Sequence, residues 1–325
     1  MSDVIFYRHF GRIERYHRRP SFTAKFNNFI PSKSFNIHHY PTEEDAKNAA
    51  LEYLQMTCDQ FGLSIWIFPS DYSKEFKCFF ASFIDGDGCI NLLKKTYPQI
   101  SASQSQASGI PEVLMFIQKM YGGKICKKDE ETDNHRQGYM WYNSTPSALI
   151  AINDVANYGF LKKDTARLII DYVRNTNSCD CSALYTQLSK MHDITYYLTV
   201  PIDASRMTSA NVGGLFSAEG CAYIIHNSLP MLQFAQLSSV KYLEAINTYY
   251  SGIGRLRKGV LHFAGQHAIR VINDMIPYVV GSKKDQCLLL LQARGLQLRF
   301  GKVKTDEQKS MLRKIRDECK RLKKI

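Results

Sequence analysis

The sequence predicts an α+β protein: two pseudo-symmetric αββαββα repeats with antiparallel sheets, preceded by a small ββ(β)α module. Three observations carry this reading. The stretch Phe80-Ala81-Ser82-Phe83-Ile84-Asp85-Gly86-Asp87-Gly88 has an echo in Val212-Gly213-Gly214-Leu215-Phe216-Ser217-Ala218-Glu219-Gly220, each reading as the last turns of an apolar helix closed by an acid and a glycine. Gln104 follows Asp87 at the same spacing (104 − 87 = 17) as Gln236 follows Glu219 (236 − 219 = 17). Each glutamine is followed by an amphipathic helix ending in glycines, Gly122-Gly123 and Gly252-Ile253-Gly254, and then by a lysine pair that opens an apolar helix, Lys162-Lys163 and Lys283-Lys284.

Residues 1–68 are expected to form the N-terminal module. Its first 20 residues, with Arg8, Arg12, Arg15, Arg18 and Arg19, read as an irregular basic arm, a targeting segment or a solvated tail. Phe22 to Phe29 and Ser34 to Tyr40 alternate as strands around a Pro31-Ser32-Lys33 turn. Thr42-Glu43-Glu44-Asp45 resembles a capping box, with Asp in the usual Glu place, before a helix carrying Ala46, Ala49, Ala50 and Tyr53. The first repeat is placed at 69–174, its opening helix capped by Asp71 or Ser73 and its strands at 89–95, 99–106, 124–128 and 138–143. A linker over 175–207 holds a helix from Leu184 to Met191. The second repeat covers 208–300, and 301–325 form a basic amphipathic helix with Met311, Ile315 and Leu322 on one side, either a clamp on the phosphates of an anionic partner or a helix docked on the second repeat.

Forty-two Lys and Arg against 30 Asp and Glu leave a net charge of +12, which fits a polyanionic partner, nucleic acid ahead of an anionic membrane, and equally a basic but ordinary enzyme. No apolar run reaches the ~18 residues of a membrane span, and no secretory apolar region follows the N-terminus. The nine cysteines are odd in number, and the one close pair, Cys179 and Cys181, lacks zinc-site spacing. Reduced thiols in an intracellular protein are expected, with nucleus and organelle equally open; Cys89 and Cys221 read as small packed residues.

Ala81-Ser82 and Gly213-Gly214 are small residues inside helices. Glycine there costs about 1 kcal/mol against alanine, and close backbone contact is the expected compensation. Two helices packed side by side would deliver Asp87 and Glu219 to one end. Paired carboxylates repel unless a divalent cation lies between them. The glycines after the acids are expected to take positive φ.

The duplicated stretches resemble the LAGLIDADG homing endonucleases in their single-chain, two-motif form, over roughly residues 72–300. Ser82 stands where the motif has glycine, and Ser217 where it has its first aspartate. The resemblance implies a monomeric, site-specific endonuclease of double-stranded DNA on a saddle of antiparallel sheets. It implies Mg²⁺, with Mn²⁺ or Ca²⁺ substituting in binding, held by Asp87, Glu219 and the carbonyls of Gly86 and Ala218. Gln104 and Gln236 would orient attacking waters, and Lys162 and Lys283, or their lysine neighbours, would polarise those waters or stabilise developing charge. Four-base 3′ overhangs follow from the same resemblance, and a long non-palindromic target from groove-facing positions that differ between the repeats. A two-stranded ribbon fits the major groove, and Asn, Gln, Lys and Arg read base edges there. One strand face is Asn91, Leu93 and Lys95, its counterpart Tyr223, Ile225 and Asn227, extended by Gln99, Ser101 and Gln233, with Lys128 and Arg257 on later strands. The N-terminal module is similar to AP2-like DNA-binding modules, which implies Lys25, Asn27, Lys33 or Asn36 near DNA; a structural appendage is the alternative. An RNA-splicing maturase and a cleavage-dead DNA-binding regulator on the same fold are the competing functions.

Overall fold

The computed structural model describes residues 5–7, 11–16, 21–26, 33–42, 45–46, 48–50, 52–53, 73–93, 97–106, 109–129, 137–144, 147–174, 181–225, 229–236, 238–298 and 305–324. The chain divides into two compact units, Met1–Asp71 and Tyr72–Ile325.

In the first unit, β1 (Ile5–Tyr7), β2 (Gly11–Tyr16), β3 (Ser21–Phe26) and β4 (Lys33–Asn36) form an antiparallel sheet in sequence order. Two strands therefore lie in the segment expected to be irregular. Its arginines suggest a tail by composition, whereas the register Arg12↔Lys25, Ile13↔Ala24 and Glu14↔Thr23 shows a strand pairing through its charged residues. The fourth strand stops at Asn36, which is exposed, and gives way to a 3₁₀ turn at Ile37–His39. The capping box is present: the Thr42 backbone N–H donates to Asp45 Oδ2 at 3.0 Å, and the Asp45 N–H donates to Thr42 Oγ1 at 3.1 Å. Asn27 lies outside the described residues.

The second unit contains the repeated αββαββα order. The first copy runs from the first motif helix, Lys74–Asp87, through β5 (Gly88–Leu93), β6 (Tyr97–Ser105), a helix at Glu112–Tyr121, β7 (Lys124–Asp129) and β8 (Gly138–Asn143) to helices at Ser147–Tyr158 and Lys163–Arg174. The second runs from the second motif helix, Ser209–Glu219, through β9 (Gly220–Ile225), β10 (Leu229–Ala235), a helix at Val240–Tyr249, β11 (Arg255–Arg257) and β12 (Val260–Ala264) to helices at Gln266–Met275 and Ser282–Leu298. The sheets have equivalent orders, β5-β6-β8-β7 and β9-β10-β12-β11, all antiparallel. Hairpins join β5 to β6 and β9 to β10, and the second hairpin of each copy adds beside the first, so duplication extends to register.

Each sheet has one core face. Ile90, Leu92, Ile100, Ala102 and Trp141 are buried in the first, and Ala222, Ile224, Leu232, Phe234, Leu261 and Phe263 in the second, with half-buried or exposed residues between them. This is the period-two pattern of a sheet covered on one side. The two cores interlock: Phe160 and Leu161 belong to the second repeat's cluster, while Ala210 and Ala218 belong to the first repeat's.

Helices at Cys181–Met191 and Ile194–Thr199 join the copies. The C-terminal helix, Asp306–Lys324, docks on the second repeat through Leu312, Ile315, Cys319 and Leu322, all buried at three- and four-residue spacing. Met311 is 39% exposed and corrects the expected seam by one position, because Leu312 holds the place that continues the 315–319–322 stripe. Part of the basic face is neutralised within the helix by Lys309–Asp306 and Arg321–Glu318 ion pairs. Among the described residues no helix is long and apolar enough to cross a membrane, and the described cysteines 78, 89, 126, 221, 287 and 319 are free thiols.

Candidate active site

The site is assembled by the two motif helices, and small residues set their separation. A Cβ at Gly214 would lie 2.1 Å from the Phe79 carbonyl oxygen, and one at Gly86 would lie 2.5 Å from the Ala218 Cβ. Neither gap admits another carbon, so the two backbones are in contact. Ser82, in the motif's glycine position, is buried and satisfied: Asn211 Nδ2 donates to its Oγ at 2.9 Å and the Tyr242 hydroxyl at 2.8 Å. Asn211 also closes a capping box with Thr208 at the start of its helix, so one side chain fixes both the helix start and its partner.

The glycines that end these helices do not have positive φ. Gly88 has φ −94° and Gly220 φ −87°, both extended as the first residues of β5 and β9. Glycine is required by space instead. A Cβ at Gly88 would meet the Ile84 carbonyl oxygen at 2.7 Å, and one at Gly220 would lie 2.0 Å from the Phe216 ring. Helix passes into strand with no intervening loop, which leaves Asp87 and Glu219 at the junctions.

Asp87 and Glu219 share one electrostatic environment. Burial pushes the Asp87 carboxyl up to about 6, opposed by the Lys283 ammonium, reinforced by Glu219 and opposed again by Lys162. Burial raises Glu219 against the same two lysines. Burial lowers both lysines, with Asp85 the main opposing charge at Lys162 and Asp87 at Lys283. The first lysine of each pair is the one turned inward. Lys162 Nζ donates to the carbonyls of Ile84 at 2.6 Å and Asp85 at 2.9 Å; Lys283 Nζ donates to those of Ala218 at 2.6 Å and Phe216 at 3.2 Å.

The glutamines differ. Gln104 shares the parity of Ile100 and Ala102, so it faces the helices, and its Nε2 donates to Asp87 Oδ2. Gln236 is buried just beyond β10, but its Oε1 accepts from Ser238 Oγ at 2.6 Å and its Nε2 has no partner among the described residues. Equal sequence spacing thus brings one glutamine onto its acid and leaves the other on a neighbouring serine.

Two cavities adjoin the lysines. One of about 280 Å³ lies beside Lys162 and is lined by Asp85, Cys89, Ser238 and the linker residues His192 and Tyr197. One of about 190 Å³ lies beside Lys283 and is lined by Gln104, Ser217, Cys221, Gln286 and Leu322 of the C-terminal helix. His192, Tyr197, Ser238 and Leu322 fall outside the duplicated pattern, so no sequence signal marks them as neighbours of the site. Each cavity draws on both repeats.

Two carboxylates with main-chain carbonyls beside them are a hard, all-oxygen donor set, which suits Mg²⁺ or Ca²⁺. Among the described residues no group of three or more His, Cys, Asp or Glu side chains is placed to hold a metal ion by itself. A cation at Asp87 and Glu219 would complete its shell with carbonyl, water and substrate oxygens, as Mg²⁺ commonly does.

The outward sheet faces carry most of the expected reading residues. Asn91, Gln99 and Ser101 are half-buried and Leu93 is exposed, alternating with core residues; Tyr223, Ile225 and Gln233 do the same in the second sheet. The Tyr223 hydroxyl donates to Gln233 Oε1 at 3.2 Å. Lys128 is exposed at a register shift in β7, and Arg257 is exposed on the edge strand β11. Lys95 and Asn227 lie outside the described residues. Cross-strand register adds Tyr142 and Lys124 to the row of Ser101, and His262 and Arg255 to the row of Gln233, positions that require strand pairing to be known.

No protein-family model matches the sequence, and no curated protein matches it. The LAGLIDADG meganuclease I-AabMI, solved bound to uncleaved DNA, is similar in structure: TM-score 0.54 and 15% identity over 74% of this chain and 98% of that one. I-SmaMI, solved bound to uncleaved DNA with calcium ions, gives a TM-score of 0.47 at 15% identity over 74% and 97% of the two chains. With its two motif helices, paired sheets and duplicated order, the chain has the fold of the single-chain LAGLIDADG homing endonucleases.

Proposed function

We propose that this protein is a monomeric, site-specific endonuclease that hydrolyses both strands of a DNA duplex with Mg²⁺. The observation that carries the reading is the convergence of Asp87 and Glu219 with two inward lysines, Lys162 and Lys283, at one end of two helices in backbone contact. Bound Mg²⁺ supplies Lewis-acid polarisation of phosphoryl oxygen and a more acidic water. Asp87, Glu219 and the Gly86 carbonyl are the groups that would hold it, the Ala218 carbonyl already accepting from Lys283 Nζ at 2.6 Å.

The chain's own residues do the rest. Lys162 and Lys283 hold ammonium groups beside the carboxylates, where charge develops on the phosphoryl oxygens, and such preorganised charge needs no rearrangement during reaction. Gln104 fixes Asp87 through its amide. A cavity of about 280 Å³ beside Lys162 and one of about 190 Å³ beside Lys283 leave room for water next to each lysine. The sheet faces read the groove, with Asn91, Gln99 and Ser101 on one half and Tyr223, Ile225 and Gln233 on the other. These sets differ chemically, so the target has unlike halves. It is about 20 base pairs long for two unlike half-sites bound by one chain, and the cuts leave four-base 3′ overhangs. Residues 1–71 neutralise further phosphates; their removal flattens the salt dependence of binding, by roughly one unit of slope for each phosphate then left to its counterions.

Incubating the purified protein with a supercoiled plasmid library of randomised inserts, with Mg²⁺ or with EDTA, tests this. Linear product with Mg²⁺ alone, and recovered sites with dissimilar halves, are expected. Tight binding to structured RNA with no duplex cleavage would replace the reading with a maturase.

A further inference from the structure

The two halves of the centre share a plan but are not built alike, and the difference lies two positions before each acid. Asp85 is buried, and its carboxylate accepts from three successive backbone N–H groups: Phe160 at 2.8 Å, Leu161 at 3.1 Å and Lys162 at 2.8 Å. A carboxylate is costly to bury unless donors and a cation surround it. Here the donors are the main chain leading into Lys162, and the cation is Lys162 itself. The Lys162 head in turn bonds to the carbonyls of Ile84 and Asp85. The main chain at 160–162 and the end of the first motif helix are thus fastened at both the backbone and the tip of the lysine.

Ser217 holds the corresponding place in the second repeat. Its Oγ is buried and has no hydrogen-bond partner among the described residues. The lysine contact shifts as well. Lys162 bonds to carbonyls three and two residues before Asp87, whereas Lys283 bonds to carbonyls three and one before Glu219. Lys283 therefore rests on Ala218, the carbonyl next to the acid. The cavity beside Ser217 is also lined by Gly281, Ser282 and Lys283, the segment whose counterpart Asp85 clamps.

We propose that Asp85 is the positioning residue for Lys162, that Ser217 leaves Lys283 without an equivalent anchor, and that the strand served by Lys162 is therefore cut first. This rests on the nuclease reading above. Displacements near 1 Å at a reacting centre change rates by up to about a hundredfold, so a roughly tenfold preference between strands is expected.

The test uses the full chain and a duplex recovered from the randomised plasmid library, each strand end-labelled separately, with K162M and K283M assigning each lysine to a strand. S217D extends a carboxylate into existing space and is the decisive variant: it should speed the slow strand and bring the ratio of rates toward one. D85N and D85S should slow the Lys162 strand alone. Acetylation followed by mass spectrometry gives a readout independent of cleavage: Lys162 should be the more protected lysine, D85N should expose it, and S217D should protect Lys283. Equal strand rates in the unaltered protein, or a ratio unmoved by S217D and D85N, would overturn the proposed order. Lysine labelling unchanged by both variants would overturn the anchoring even if no duplex is cut, whereas absent cleavage with the expected labelling would sink the nuclease reading and the strand order but keep Asp85 as the anchor.

Discussion

Gly214 lies against the carbonyl of Phe79 so closely that a Cβ at position 214 would be 2.1 Å from its oxygen. The obstacle is main chain, so no rotamer change relieves it. Gly214→Ala must separate the two motif helices and should cost at least about 1–3 kcal/mol, the usual scale of overpacking. Urea denaturation measures this. Because the acids ride on the same helices, the folded fraction should also lose cleavage; a variant of unchanged stability and activity would show that the helices can part freely.

Asp87→Asn and Glu219→Gln each remove a negative charge from the centre while preserving size. Both should abolish double-strand cleavage and leave target affinity within a few-fold, read by gel shift in Ca²⁺. Full double-strand cutting by either would rule out a two-acid centre.

The raised Asp87 carboxyl also predicts a pH effect. Its folded value, about 6, lies above the ordinary aspartate value of 3.8, so the folded state binds the proton more tightly. Stability from this group is present at low pH and lost as pH rises through that window, on the order of 1–3 kcal/mol without metal. Asp87→Asn should therefore gain in Tm over the unaltered protein as pH climbs from 4 to 7 in EDTA, and Mg²⁺ should narrow the gap. A gap constant with pH would contradict the assignment.

On the C-terminal helix, Leu312 is 1% exposed and its neighbour Met311 is 39% exposed. Leu312→Ala should cost about 2–5 kcal/mol, while Met311→Ala should stay within about 0.5 kcal/mol. Thermal melts of the two variants establish which face is docked.

The repeats are legible because acid, glutamine, glycine and lysine recur in one order at matched spacing, and that order fixes element type and succession. Burial and reach are not. Gly88 and Gly220 suit positive φ by their place after a helix, but a sequence cannot distinguish a need for φ from a need for space. Gln236 matches Gln104 in spacing yet bonds to Ser238, because Gln104 lies within β6 while Gln236 lies past the end of β10, where strand alternation no longer sets its direction. Asp85 passes as a motif letter, since its three donors lie 75 to 77 positions away. Met311 and Leu312 are both apolar, and only the docking partner chooses between them.

The interlocking of the two cores has a consequence for how the chain can be divided. Phe160 and Leu161 complete the second repeat's interior, and Ala210 and Ala218 complete the first's. Severing the backbone between 175 and 180 would leave two pieces, each missing part of its own interior and each holding part of the other's. Such pieces would be poor folders alone and mutual templates when mixed. Duplex cleavage by the mixture would then depend on the concentrations of both fragments, so a chain severed there would act as a two-component switch.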